Sequence, residues 1–378
     1  MKKLKIFYLI SVLLLISCNK DDLNPNTQNP TENTPNILLI IADDLGKDAI
    51  SGYNEGSIKP NTPNLDVLRT KGITFNNFWA YPTCSPTRAS IITGKYGYRT
   101  GIKWANDVLS TNETTLQRYI SDNTNTTYAT AIVGKWHLSG SNRTFNPEIL
   151  GIDYYAGLIT GGTPNYYNWS FTEDGSSSNV SQYATSKFTD IAIDWINDQN
   201  KPWFMWLAYN APHTPFHVPP TEMHSQGNLP DYTSGVDATP YYLAAIEAMD
   251  FEIGRMLNSI PQDERENITI IFIGDNGTPE EVAQSPYSNS TAKGTLYQGG
   301  INTPCFASGT GVSRTGDDDN LITSSDLFAT ISEIAGVSIS QINDSKSFKS
   351  LFSQSSPTRD FQYSEMDNGT DNIWVISN

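Results

Sequence analysis

The chain has 378 residues, 40 of them acidic and 24 basic, for a formal net charge of −16 at pH 7. Such a surface repels anionic partners at long range, which excludes nucleic acid and requires any anionic ligand to be caught by a local basic pocket. With only three cysteines and no internal repeat, disulfide scaffolds and solenoids are excluded as well.

Lys2, Lys3 and Lys5 precede an apolar run from Ile6 to Ile16, followed by Ser17-Cys18. Residues 1–17 therefore read as a signal peptide, too short to span a bilayer as a mature helix. A Cys directly after a small residue resembles the lipobox of bacterial lipoproteins. That implies lipidation of Cys18, a lipid anchor and placement on the outer membrane, at its periplasmic or cell-surface face. The alternative is an ordinary secretory signal with an incidental Cys. Asn19-Lys20-Asp21-Asp22 resembles an acidic sorting signal for the cell surface. Residues 18–34, rich in Asn, Pro and Thr without an apolar period, read as a flexible tether.

From residue 35 to 378, apolar runs alternate with amphipathic helices, which predicts an α/β fold with a large, mostly parallel sheet between helices. Ile37 to Ala42 is a continuous apolar strand ending in Asp43-Asp44. Next comes Pro82-Thr83-Cys84-Ser85-Pro86-Thr87-Arg88-Ala89-Ser90-Ile91-Ile92-Thr93-Gly94, a loop that becomes a helix. Ser85 suits its cap, Pro86 its first turn and Gly94 its end. Cys84 thus lies where free N–H groups and the helix dipole favour an anion, and Arg88, one turn on, directs its fork to the same spot. A buried packing Cys is the bland alternative, but it leaves the Pro and Arg unexplained.

Ala129 to Val133 ends in Gly134-Lys135-Trp136-His137, where strand alternation would put Lys135 and His137 on one face. Trp203 to Tyr209 ends in Asn210-Ala211-Pro212-His213, and Ile268 to Ile273 in Gly274-Asp275-Asn276-Gly277. Each polar cluster follows the carboxyl end of a strand, where open α/β sheets place their sites. Asp43, Asp44, Asp275 and Asn276 offer hard oxygen ligands, which favour Ca²⁺, with Mg²⁺ second, over zinc. Lys293 opens a further Gly-rich segment, His217 is a substrate-side candidate, His224 reads as surface loop and Cys305 as buried packing. The stripes Phe188, Ile191, Trp195, Ile196 and Leu243, Ile246, Met249, Ile253, Met256 read as core.

The run from Pro82 to Gly94 resembles the signature of the type I sulfatases, in the alkaline phosphatase superfamily. In that family the Cys is oxidised to formylglycine by a maturation enzyme. The resemblance extends to Asp43-Asp44-Leu45-Gly46, Lys135-Trp136-His137, Pro212-His213 and Asp275-Asn276-Gly277. It implies hydrolysis of sulfate monoesters, from a sulfated carbohydrate or an aryl sulfate. It also implies that Asp43, Asp44, Asp275, Asn276 and modified Cys84 hold one divalent cation. Asp43 or Asp275 would accept a proton, Lys135 and Lys293 hold developing charge, His213 serves the leaving group, His137 the proton at residue 84, and Arg88 steadies the assembly. Two departures stand out: Thr127-Tyr128 where the family has Gly-Tyr, and Asn302 after Gly299-Gly300-Ile301 where it has Arg. The family's small C-terminal subdomain is expected to be mostly missing at Asn378, from a fragment or truncated reading frame. A phosphodiesterase or phosphonate hydrolase of the same superfamily and a non-catalytic glycan-binding lipoprotein are the rival readings. Leaving-group contacts are expected from 139–167 and 212–233, whose Tyr and Asn suit sugar rings.

Overall fold

A computed structural model describes residues 34–378. The signal peptide, Cys18 and nearly all of the tether lie outside the described residues. Ten strands build one sheet: β1 (Asn36–Asp43), β2 (Ile73–Phe75), β3 (Ala129–Lys135), β4 (Tyr154–Leu158), β5 (Trp169–Glu173), β6 (Ser176–Val180), β7 (Trp203–Pro212), β8 (Ile268–Gly274), β9 (Cys305–Gly309) and β10 (Gly316–Asp318). Their spatial order is β10-β2-β9-β8-β1-β7-β3-β4-β5-β6. The four strands singled out by the sequence, β8, β1, β7 and β3, are thus contiguous and mutually parallel. Antiparallel pairs occur on both flanks, so the sheet is mixed.

Those four strands read as unbroken apolar runs because both sheet faces are covered. Ile37, Leu39 and Ile41 join one buried cluster, with α2 (Cys84–Thr93), α3 (Leu116–Asn123) and α6 (Asp326–Ile334). Leu38, Ile40 and Ala42 join the other, with α1 (Pro63–Thr70), α4 (Ala184–Asn197) and α5 (Thr239–Ser259). Both predicted helical stripes fall in this second cluster, Trp195 only partly buried.

Register places the site. Ile41 pairs with Ala208, which pairs with Gly134, while on the other side Ala42 pairs with Gly274. Asp43 follows Ala42, Lys135 follows Gly134 and Asp275 follows Gly274, which brings all three to the same edge of the sheet. A hairpin, β11 (Gln362–Asp367) and β12 (Asn372–Ser377), lies outside the main sheet. Gln362 donates to the carbonyls of Asn77 and Ile322, and Ser364 to that of Ala80. Its outer strand leaves Ile373, Trp374 and Ile376 exposed. Among the described residues no helix is long and apolar enough to cross a membrane.

Candidate active site

Helix α2 delivers Cys84. The helix starts at Cys84 itself, with Thr83 at the cap position, and stops at Gly94 in the left-handed region. Ser85 is therefore not the cap. Its hydroxyl instead donates to His137 O at 2.9 Å and accepts from the Asn106 N–H at 3.1 Å. All ten residues of the helix are buried, and that burial pushes the Cys84 thiol up. His137 Nδ1 lies 2.9 Å from Cys84 Sγ.

Lys135 and His137 both reach the centre, but not by strand alternation. β3 ends at Lys135, and His137 takes φ +54, which turns its ring back toward α2. Lys135 Nζ donates to Asp43 Oδ2 at 2.5 Å, entirely buried. Arg88 makes the remaining link across the strand ends. Its Nε and one terminal nitrogen donate to Asp275 Oδ2 at 3.2 and 2.8 Å, and the other terminal nitrogen to Lys135 O at 2.7 Å. Asp44, at φ +68, accepts from Asn276 Nδ2 at 2.8 Å and from Lys293 Nζ at 2.6 Å. Backbone bonds from Gly294 to Pro82 and from Lys293 to Thr278 seat the lysine between α2 and the end of β8.

Three carboxylates, Asp43, Asp44 and Asp275, face three cations, Arg88, Lys135 and Lys293. Burial, with Asp43 nearby, pushes Asp275 up to about 6, although Arg88 opposes it. Burial likewise raises Asp43. Against its own burial, Asp44 is held well below the usual carboxylate range by His213 and Lys293. The same pairing raises Lys293.

A divalent cation fits these residues. Asp43 Oδ1 and Asn276 Oδ1 are buried acceptors with no hydrogen-bond donor, an expensive arrangement unless a cation faces them. Ligand atoms of Asp43, Asp44 and His213 lie within 4.8 Å of one another. His213 stands within that distance of the two carboxylates, and Asp275 Oδ1 accepts only the Asp44 N–H, which leaves it a lone pair for a cation, while Oδ2 is taken by Arg88.

A cavity of about 440 Å³ opens over this centre, its wall carrying Cys84, Asn106, His137, Arg143, His213 and Lys293. Lys135 does not line it; it stands behind Asp43. His213 hydrogen-bonds Thr214 O through Nδ1 at 2.6 Å, leaving Nε2 3.7 Å from Asp44. Burial, aided by Lys135 and Lys293, pushes its imidazole down to about 4. Burial and the same cations also push His137 far down.

The loop predictions divide. Segment 139–167 supplies Gly140, Ser141, Arg143 and Thr160 to Gly162, but 212–233 supplies only His213. Its aromatic residues do not present faces to the cavity. Tyr166 stacks on His217 at 3.8 Å, and both His217 ring nitrogens are engaged, by Pro215 O and the Tyr183 hydroxyl. His217 is therefore packing rather than substrate-side. His224 lies half-buried in a loop, its Nδ1 accepting from the Gln226 N–H. Cys305 is fully buried, as expected. Asn302 donates to Gln298 within its own helical turn. Sequence reasoning missed Asn106 and Gly161, which touch His137 from loops without a recognisable motif.

The model of the family described as Sulfatase matches residues 35–337. The chain is 28% identical to "Uncharacterized sulfatase YdeN" of Escherichia coli (strain K12), over 84% of this chain and 65% of the relative. It is 27% identical to "Arylsulfatase G" of Mus musculus, over 81% and 66%. The chain thus spans just under two thirds of the length of these curated relatives. Among solved structures, Ps i-CgsB in complex with k-i-k-neocarrahexaose superposes with a TM-score of 0.77 at 23% identity, covering 91% of this chain and 82% of that one. BT4656 in complex with D-glucosamine-2-N,6-O-disulfate gives 0.73 at 20% identity, covering 91% of each.

Proposed function

Because the chain belongs to the sulfatase family, matched over residues 35–337, we propose that it hydrolyses sulfate monoesters on carbohydrate fragments. In this reading Cys84 is converted to formylglycine, and Asp43, Asp44, Asp275 and Asn276 hold calcium, with magnesium second. The observation that carries it is Cys84 in the first turn of α2, touching His137 Nδ1 in a cavity also walled by Lys293 and His213. Two fold neighbours are complexes with k-i-k-neocarrahexaose and with D-glucosamine-2-N,6-O-disulfate, which supports sulfated sugars as the substrate class. Export on a lipid anchor at Cys18, with the outer membrane as destination, belongs to the same proposal.

Formylglycine would supply a hydrated aldehyde as nucleophile, and the cation would supply charge to acidify its hydroxyl and hold sulfate oxygens. The chain's residues do the rest. Three carboxylates balance three cations here, so a divalent ion held by Asp43, Asp44, Asp275 and Asn276 would supply the net positive charge by which a chain at −16 could bind an anion. Either Asp43 or Asp275 would accept the hydroxyl proton; burial raises both carboxylates, which favours binding one. Lys293 faces the cavity and grips the ester, while Lys135 acts from behind by orienting Asp43. His213 delivers its proton from Nε2, since Nδ1 is held by Thr214 O. An arriving sulfate offsets the lysines that depress this imidazole. His137 Nδ1 is positioned to take a proton from residue 84.

The test is expression with and without a formylglycine-generating enzyme, followed by mass spectrometry of the Cys84 peptide and parallel assays on sulfate, phosphate and phosphonate esters. Sulfate turnover that requires the modification is expected. Full activity with a free thiol sinks the mechanism. Turnover of phosphonates alone favours the rival chemistry, known for a protein of the same fold, the phosphonate monoester hydrolase of Agrobacterium radiobacter (TM-score 0.65, 18% identity). Binding of sulfated oligosaccharides without turnover favours a glycan-binding role.

A further inference from the structure

We propose that Asn106 is a positioning residue that fixes both the tautomer and the aim of His137. The ring nitrogens have different partners: Nδ1 is 2.9 Å from Cys84 Sγ, and Nε2 is 3.0 Å from Asn106 Oδ1. A neutral imidazole has one donor and one acceptor nitrogen, and the bond made by one decides the role of the other. An amide oxygen only accepts. Nε2 therefore carries the hydrogen, and the lone pair of Nδ1 faces residue 84, ready for whatever proton that residue gives up. The buried neutral thiol is the matching donor in the unmodified chain.

Asn106 is held in place by more than this one bond. Its backbone sits at φ +70, and its N–H donates to Ser85 Oγ, the hydroxyl that also donates to His137 O. One side chain at the start of α2 thus ties together the backbones of both partners. Two residues further on, Val108 bridges Ser139, and the Leu109 N–H donates to Leu138 O at 2.9 Å. The loop bearing Asn106 is stitched to the loop bearing His137. A third wall is Gly161, where a Cβ would come within 2.3 Å of His137 Cε1 and Nε2. The ring is confined by residue 84, Asn106 and Gly161 together.

The kinetic consequence rests on the sulfatase reading, but the tautomer does not, so the two are tested separately. Long-range ¹H–¹⁵N spectra of histidine-labelled protein are recorded on the Cys84 thiol form, with the His137 signals assigned through His137→Gln. The expected result is the Nε2–H tautomer in the native chain and in Asn106→Asp, which keeps an acceptor. Asn106→Leu, similar in size but without one, is expected to lose that single tautomer while melting like the native protein. In matured enzyme Asn106→Leu should lower kcat about 100-fold with little change in KM, whereas Asn106→Asp should stay within about 10-fold. An Nδ1–H tautomer in the native chain, or an unchanged tautomer in Asn106→Leu, overturns the proposal. A shifted tautomer with kcat intact upholds the positioning and refutes instead the role given to His137 in sulfate hydrolysis.

Discussion

Replacing Arg88 by Met tests whether the strand ends are joined as described. Met is unbranched and adaptable, so it fills a fully buried slot without a large cavity. What it cannot replace are the two donors to Asp275 Oδ2 and the one to Lys135 O. Asp275 would keep a single donor, the Asp44 N–H at 3.1 Å. Removing one partner of a buried ion pair costs about 3–5 kcal/mol, because the other charge stays buried. The loss must also depend on pH. Burial already holds Asp275 at about 6, above its ordinary value, so this group's contribution to stability falls as pH rises through that region. Arg88 is what restrains the rise, so in Arg88→Met the folded-state value climbs further and the deficit widens from about pH 5 to about pH 8. Urea titrations of EDTA-treated protein, followed by tryptophan fluorescence at both pH values, measure it. Arg88→Lys keeps the charge without the fork and should recover part of the loss. A deficit below about 1 kcal/mol, or one equal at both pH values, refutes the reasoning.

Three further outcomes are expected. His213→Ala should slow a sugar sulfate about 10²–10⁴-fold but an activated aryl sulfate far less, since a good leaving group needs little acid help, whereas His137→Ala should slow both alike; equal impairment by His213→Ala reverses the assignment. Prolonged EDTA treatment should abolish turnover and calcium restore it, with magnesium less effective; full activity with stoichiometric zinc would contradict the oxygen ligands. Gly161→Ala pushes a methyl into the His137 ring, and a displacement of about 1 Å costs on the order of 100-fold in kcat; native kcat in this variant, at an unchanged melting temperature, shows that the ring is not confined there.

The four chemistry-bearing strands could be read from the sequence because strands covered on both faces become continuous apolar runs, and each polar cluster began where its run stopped. The Cys84 helix, its Gly94 stop and the acidic pairs were local in the same sense: short-range rules of capping, turn and ligand type specify them. What a linear reading could not supply was anything requiring two distant segments to be measured against each other. Lys135 and Lys293 look alike in sequence, yet one is sealed behind Asp43 and the other faces the cavity. Ser85 looked like a cap and instead spans two loops, because the cap falls two residues earlier, at Thr83. His217 looked available until Tyr166 stacked on its ring and Pro215 O and the Tyr183 hydroxyl claimed both its nitrogens. Asn106 gave no signal, since an Asn in a polar loop satisfies many local roles, and only the register between residues 108–109 and 138–139 brings its oxygen to His137. Composition and periodicity determined the strands, the clustering of oxygen-bearing side chains at their ends and the place of Cys84 on a helix end. The tertiary structure alone decided which charges pair, which nitrogen is free and which residues line the cavity, because those depend on distances between side chains that the chain brings together only on folding.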